Sequence, residues 1–123
     1  MGVYTVGMKL RMPLLTLVVA VAALFGLSGC SDAGADAART AITDGATVID
    51  VRTPSEYQAG NIEGALNIDV QTADFADRVG ELPKDETYVV YCRSGNRSAA
   101  AINIMKDLGF TSLIDGGAYT SLK

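Results

Sequence analysis

The sequence predicts an α/β domain with a mainly parallel central sheet flanked by helices. Its 123 residues suit one small domain. Short apolar segments alternate along the chain with segments of helical periodicity. The most apolar segment, Tyr88–Tyr91, lacks the polar alternation of a strand with one solvated face. Strands buried on both faces and separated by helices are typical of parallel sheets.

Local signals define the individual elements. Thr53-Pro54-Ser55-Glu56 is a capping box with proline at the first helical position. Near the C-terminus, Ala101, Ile104, Met105 and Leu108 share one helical face before Gly109. In chain order we predict a helix at 36–44, a strand at 47–51, a helix ending at Gly60, a strand at 65–68, a helix at 72–79, a strand at 88–91, a helix at 98–108 and a strand at 111–114.

The first 29 residues differ in composition from the rest of the chain. Lys9 and Arg11 precede an uncharged apolar segment at 12–27, and every acidic residue lies after Cys30. This is the pattern of an export signal, and the apolar segment is shorter than the roughly 20 residues of a membrane span. We therefore predict a signal peptide at 1–29, with an uncleaved anchor helix as the alternative. Translation can start at Met1 or at Met8.

Cys30 ends the tetrapeptide Leu27-Ser28-Gly29-Cys30, which resembles the bacterial lipobox. In that motif the signal is cut before the cysteine, and the cysteine receives lipid. The match predicts lipidation of Cys30, a lipidated tether at 30–35 and a folded domain at 36–123. The protein would then be exported and anchored by lipid to a bacterial membrane, on its periplasmic or outer face. The alternative is an ordinary signal peptide in which Cys30 has no such role.

The predicted mature chain, residues 30–123, is acidic. It contains eight Lys and Arg against 14 Asp and Glu. This balance disfavours nucleic acid and an anionic lipid surface as partners. The chain also has no histidine and no Cys-x-x-Cys pair. Because zinc sites and dithiol redox centres are built from such residues, we expect no metal and no cofactor.

Cys92 is the strongest functional signal in the sequence. It ends an apolar segment and begins a polar loop that contains Arg93, Gly95 and Arg97 and leads into a helix. Positive surroundings and a helix N-terminus lower the pKa of a thiol, and the thiolate is the nucleophilic form. Gly95 permits a left-handed turn in which loop N–H groups can surround an anion. The alternative is a buried structural cysteine.

Four segments together resemble the rhodanese family. They are Asp50-Val51-Arg52, Glu56-Tyr57 with the following Gly60–Ile68, Tyr91–Ser98 as the active loop, and Asp115-Gly116-Gly117. The resemblance extends from about residue 36 to 119 and implies a three-layer rhodanese-like domain.

Three departures from the family pattern affect the sheet edge more than the chemistry. Asn61 and Glu63 replace the usual histidine and proline, and Tyr119 stands where tryptophan is common. The usual first strand, which precedes the first helix, is missing from the predicted elements.

The resemblance implies sulfurtransferase chemistry at Cys92. A small anionic donor such as thiosulfate gives this cysteine a sulfane sulfur, and the resulting persulfide passes it to cyanide or another thiol. The N–H groups of the loop stabilise the sulfur, while its arginines attract the donor and neutralise leaving sulfite. The implied substrate-binding residues are Arg93, Ser94, Gly95, Asn96 and Arg97. Asp50, Arg52 and Glu56 have a structural role, with Glu56 as a partner of Arg52.

Three other interpretations remain open. Arg93 and Arg97 can be solvated surface charges. A phosphatase of related fold uses Cys-x5-Arg, but here Ser98 stands at the sixth position after Cys92 and Arg97 comes one residue early. The stronger alternative is a non-catalytic rhodanese-like binding module or a persulfide carrier for a partner protein. Modules that lost catalysis usually lack the cysteine.

Overall fold

The computed structural model describes Gly2 and residues 30–123. The predicted signal peptide at 1–29 lies, apart from Gly2, outside the described residues. The described chain forms α1 (Cys30–Thr43), β1 (Thr47–Asp50), α2 (Pro54–Ala59), β2 (Leu66–Asn67), α3 (Phe75–Gly80), β3 (Thr87–Cys92), α4 (Asn96–Asp107), β4 (Ser112–Ala118) and α5 (Tyr119–Leu122).

The four strands form one parallel sheet in the order β2-β1-β3-β4. The apolar strand β3 lies between β1 and β4, which explains why it has no polar alternation. Its register places Tyr91 beside Asp50 of β1. The carboxyl ends of β1 and β3 therefore meet at one edge of the sheet, which is where ligands bind in such folds.

Helices cover both faces of the sheet, so the predicted three-layer α/β architecture is confirmed. Side chains of β3 alternate between two buried clusters. Tyr88, Val90 and Cys92 face the cluster that includes Phe75 of α3 and Met105 of α4. Val89 and Tyr91 face the other cluster, which contains Ala38 of α1 and Leu122 of α5. None of the helices in the described part of the chain is both long and apolar enough to span a bilayer.

Helix α1 begins earlier than predicted. The segment at 30–35, interpreted as a tether, is helical, because α1 extends from Cys30 to Thr43. The helix packs on β4. A Cβ atom at Gly34 would make an ordinary van der Waals contact, at 3.8 Å, with the carbonyl oxygen of Asp115. The helix predicted to start at residue 36 therefore starts at Cys30, whereas the domain boundary at residue 36 stays a prediction.

Strand β4 extends further than the predicted 111–114. It continues through two glycines to Ala118, with an irregularity between Val90 and Tyr91 of β3 that leaves Gly116 without a direct partner. A Cβ atom at Gly116 would lie 2.9 Å from Leu122 Cδ1 and 3.2 Å from Val89 Cγ1. The glycine is needed for close packing inside the sheet. The sequence pattern alone does not distinguish that requirement from a turn.

Candidate active site

Cys92 is the last residue of β3, and its side chain is fully buried. The loop that follows turns sharply at Gly95, whose φ is +106°, and α4 begins at Asn96. This is the left-handed conformation predicted for Gly95, and it is unfavourable for residues with a Cβ atom. The turn brings loop N–H groups back over the sulfur.

The sulfur of Cys92 is surrounded by hydrogen-bond donors. The Gly95 N–H donates to Sγ at 2.9 Å, and Ser98 Oγ lies 3.6 Å from Sγ. Burial raises the pKa of the thiol, but the N–H and hydroxyl of Ser98 and the N–H groups of Gly95 and Ser94 outweigh burial and bring the pKa below its ordinary value. The loop therefore favours a thiolate, which is the reactive form.

Ser98 and Asp115 belong to the site, although neither was among the residues that we predicted to act there. Ser98 is fully buried in the first turn of α4. Its Oγ lies 2.8 Å from Asp115 Oδ1 and 2.9 Å from the Gly95 carbonyl oxygen. The role of Ser98 could have been predicted from its position in the sequence, six residues after the nucleophile. Asp115 could not be found in this way, because the pairing of β4 with β3 places it beside the loop, 17 residues along the chain from Ser98.

Arg97 forms an ion pair with Glu56 of α2. Arg97 Nη1 donates to Oε1 at 2.7 Å, and Nη2 donates to Oε2 at 3.0 Å. The hydrogen bond from Arg97 lowers the pKa of Glu56 to about 2. The predicted pairing of Glu56 with Arg52 is therefore wrong. Because Glu56 occupies the guanidinium fork of Arg97, this residue ties α4 to α2 across the mouth of the loop.

Arg52 pairs instead with Asp50 at the end of β1. The Nη2–Oδ2 distance is 2.6 Å, and both side chains are almost completely buried. Tyr91 donates from its hydroxyl to Asp50 Oδ2 at 2.6 Å, and Arg52 also donates to the Gly60 carbonyl oxygen at 2.7 Å. The guanidinium lies 4.6 Å from the ring centroid of Tyr119. These contacts stabilise the sheet edge beside the loop, and none of them involves Cys92 Sγ.

The remaining predicted substrate residues line the rim of the loop. Arg93, Ser94 and Asn96 are exposed, and no side-chain hydrogen bond of theirs occurs within the described residues. Arg93 is therefore an exposed guanidinium that can meet an incoming anion. Within the described residues, no carboxylate pairs with it. Among the residues with described positions, no group of three or more His, Cys, Asp or Glu side chains could hold a metal ion.

Comparison with known families matches residues 34–119 to the rhodanese-like domain. The chain is 33% identical over 74 residues to the thiosulfate sulfurtransferase PspE of Escherichia coli, covering 60% of this chain and 71% of that protein. It is 46% identical over 65 residues to the HTH-type transcriptional regulator Rv0324 of Mycobacterium tuberculosis. That match covers 51% of this chain and only 28% of the regulator.

Solved structures share the fold as well. A rhodanese with anions from E. coli superimposes with a TM-score of 0.53 at 32% sequence identity. The match covers 61% of this chain and 88% of the E. coli chain. The similarity therefore extends over most of that E. coli chain.

Proposed function

The chain belongs to the rhodanese-like domain family and is a rhodanese-type sulfurtransferase, and we propose that it carries the transferred sulfur as a persulfide on Cys92. The donor would be a small sulfane-sulfur anion such as thiosulfate, and the acceptor cyanide or a thiol. The observation that carries this proposal is the buried Cys92 sulfur beneath the Gly95 N–H, with a pKa below that of an ordinary thiol. Relatives named thiosulfate sulfurtransferases support the choice of donor.

In the first half of the reaction, the Cys92 thiolate attacks the outer sulfur of thiosulfate. A bond forms between Sγ and that sulfur, the sulfur–sulfur bond of the donor breaks, and sulfite leaves with the bonding electron pair. The product is a persulfide anion on Cys92. The loop N–H groups hold negative charge at the sulfur before and after the step, so the site needs no general base once the thiolate has formed.

In the second half, the acceptor attacks the outer sulfur of the persulfide. With cyanide, a carbon–sulfur bond forms, and the sulfur–sulfur bond of the persulfide breaks. Thiocyanate leaves, and the electron pair of the broken bond stays on Cys92 Sγ. The thiolate is thereby regenerated without net proton transfer. A thiol acceptor first loses its proton to solvent. Its thiolate then attacks the outer sulfur, the persulfide bond breaks, and the acceptor leaves as a persulfide while the Cys92 thiolate is regenerated.

The two arginines of the loop have different roles in this proposal. Arg93 is exposed and supplies the positive charge that attracts an anionic donor to the rim. Arg97 is held by Glu56 in a pair with 22% and 24% exposed side chains. Its charge is already compensated, so its main contribution is to keep α4, and with it the loop, in position. This division revises the assignment of both arginines as donor ligands.

Turnover with thiosulfate and cyanide tests the enzymatic proposal. The wild-type protein should release thiocyanate continuously, and Cys92→Ser should release none. A persulfide carrier for a partner protein would behave differently. It would load one sulfur on Cys92 and hold it in the presence of cyanide, releasing it only to that partner. A binding module would neither release thiocyanate nor load a sulfur. Thiocyanate release by Cys92→Ser would overturn both the enzyme proposal and the carrier alternative.

We also propose that a lipid on Cys30 anchors the protein and turns the Cys92 edge toward the bilayer. Helix α1 runs antiparallel to the strands: its last turn leads into Thr47, and Gly34 packs beside the Asp115 carbonyl. Four residues of helix before Gly34 bring Cys30 about 6 Å further toward the carboxyl edge of the sheet. That edge is the one from which Cys92 is reached.

Two measurements test the anchor and its geometry. The native protein should enter the detergent phase, whereas Cys30→Ala should stay unprocessed; a mature protein that begins elsewhere and partitions into water would contradict lipidation. In vesicles, and in a Cys92→Ser background, a fluorophore on Arg93→Cys beside the loop should be quenched by spin-labelled headgroups more than one on Asp85→Cys, at the opposite edge; both positions are exposed. Equal quenching would leave the anchor intact and contradict the orientation.

A further inference from the structure

The Ser98 hydroxyl lies between three groups and has one hydrogen to donate. Asp115 Oδ1 is 2.8 Å away, the Gly95 carbonyl oxygen 2.9 Å, and Cys92 Sγ 3.6 Å. The carboxylate and the carbonyl can only accept a hydrogen bond, whereas the sulfur donates as a thiol and accepts as a thiolate. The charge state of Cys92 therefore determines which direction the hydroxyl hydrogen should take.

The fold brings Asp115 to this position through its place in β4, just before the irregularity at Gly116. The residue pairs with Val90 of β3, the next direct pair is Tyr91 with Gly117, and the Gly117 N–H donates to Asp115 Oδ1 at 2.9 Å. That bond fixes the carboxylate toward α4 while the residue remains exposed to solvent. Asp115 is thus an oriented charge that is linked to Cys92 through the hydroxyl of Ser98.

We propose that Asp115 is a positioning residue that controls the ionisation of Cys92 by holding the hydrogen of the Ser98 hydroxyl. With Cys92 as a thiol, the S–H donates to Ser98 Oγ and the hydroxyl donates to Asp115, while the Gly95 carbonyl oxygen still accepts from the Ala99 N–H at 3.2 Å. When Cys92 loses its proton, the hydroxyl must turn to the sulfur and leave two oxygen acceptors facing each other. If it stays on Asp115 instead, the thiolate lacks that donor. Either outcome makes Asp115 oppose the thiolate.

Persulfide formation would remove this conflict. The negative charge then lies on the outer sulfur, away from the 3.6 Å contact between Sγ and Ser98 Oγ, and the hydroxyl can return to Asp115. The carboxylate would in this way favour the sulfur-loaded form over the free thiolate. This consequence rests on the proposed function, whereas the effect on ionisation does not.

Other charged groups also face the sulfur and must be kept constant in a test. Arg97 of α4 interacts electrostatically with both Cys92 and Asp69, which follows β2. Glu56 of α2 acts through Arg97, and Arg93 stands in the loop itself. None of these is altered by substitutions at Ser98 or Asp115, so a double-mutant cycle between the last two isolates their coupling.

The test is the pH dependence of alkylation of Cys92 by iodoacetamide, followed on the peptide that contains this residue. Asp115→Asn should lower the apparent pKa, so that alkylation at a pH below the wild-type midpoint becomes about tenfold faster, equivalent to one pKa unit. In a Ser98→Ala background, the same substitution should change the rate less than twofold. Asp44→Asn, at the opposite edge of the sheet, is the matched control and should leave the profile unchanged.

Three results would overturn the proposal. One is an unchanged profile in Asp115→Asn, another a higher apparent pKa, and the third an equal shift with and without the Ser98 hydroxyl, which would indicate a direct electrostatic effect. Asp115→Ala provides a second variant if the asparagine disturbs folding, and circular dichroism checks both. Alkylation needs no sulfur donor. A failure of the proposed sulfur transfer would therefore appear as missing persulfide with this profile intact.

Discussion

The ends of the neighbouring strands β1 and β3 hold negative charge in two different ways. At the end of β1, Asp50 is neutralised by the buried guanidinium of Arg52 at 2.6 Å. At the end of β3, Cys92 receives a backbone N–H at 2.9 Å. A fixed carboxylate can be closed off by a cation, but a reactive sulfur must stay open to donor and acceptor. Backbone donors stabilise the anion without occupying its free side.

A third contact joins the two strand ends. Glu56 of α2, which follows β1, pairs with Arg97 of α4, which follows β3. This pair is partly exposed, whereas the pair of Asp50 and Arg52 is not. The buried pair of Asp50 and Arg52 is therefore the one on which the fold depends, whereas the partly exposed pair of Glu56 and Arg97 adjusts the position of the loop. The following substitutions test that separation.

Removal of Asp50 should have the largest effect on stability. Asp50→Ala leaves the Arg52 guanidinium buried without its carboxylate and also takes an acceptor from the Tyr91 hydroxyl. We expect a loss of about 3–5 kcal/mol in the free energy of unfolding, measured by urea denaturation. Glu56→Ala is the matched control and should cost much less. Equal losses would mean that burial does not distinguish the two pairs.

Replacement of Gly95 should damage the β3 end selectively. Gly95→Val forces a branched side chain into a φ of +106°, at a cost of about 1–3 kcal/mol. It should also abolish most of the transfer activity with any donor, because the N–H groups leave the sulfur. Gly45→Val is a matched control: φ is +97° there and a Cβ would meet nothing within 4 Å. Comparable activity losses in both variants would contradict a specific role for the loop turn.

The loop arginines should respond differently to the charge of the donor. Arg97→Ala should lower kcat/KM about tenfold, with thiosulfate and with an uncharged organic donor alike, since one charge-assisted contact is worth about 1.5–3 kcal/mol. Arg93→Ala should lower kcat/KM only a few-fold, only with thiosulfate, and less at high salt. A donor-dependent effect at Arg97 would instead assign it to anion binding, as the sequence first suggested.

Acid should remove the contribution of Glu56 within a defined pH range. Its pKa is about 2 in the folded protein against 4.5 ordinarily. Because the folded value is the lower one, the contribution is complete above about pH 5 and is lost as the pH falls toward 2. The difference in unfolding free energy between wild type and Glu56→Gln should therefore shrink over that range, from about 1–2 kcal/mol. In Arg97→Ala the pKa of Glu56 moves back toward its ordinary value, so this pH dependence should largely disappear; an unchanged profile would contradict the pairing.

Local sequence signals predicted much of the fold and the nucleophile. The capping box of α2 forms between Thr53 and Glu56, and Gly95 adopts the left-handed turn. Such features depend on residues within a few positions of each other. Contacts between distant residues were missed or misassigned. Glu56 was paired with Arg52, four residues away, whereas its partner is 41 residues away.

The remaining differences also arise from tertiary packing. Nothing local distinguishes Gly116 in a strand from glycine in a turn, and only its close contact with Leu122 explains it. The pairing of Asp115 with Val90 places its carboxylate next to Ser98, so the role of both residues depended on knowing the register of β4. The position of Gly34 of α1 beside β4 is likewise a tertiary contact that the sequence does not show.

The most direct test of the account is the mass of the protein after incubation with thiosulfate. We predict the addition of one sulfur atom, located on the Cys92 peptide, and its complete removal when cyanide is added with release of an equal amount of thiocyanate. Cys92→Ser should show no added mass under the same conditions. An unmodified wild-type protein, or a sulfur that remains after Cys92 is replaced, would contradict the claim that this thiolate carries the sulfur.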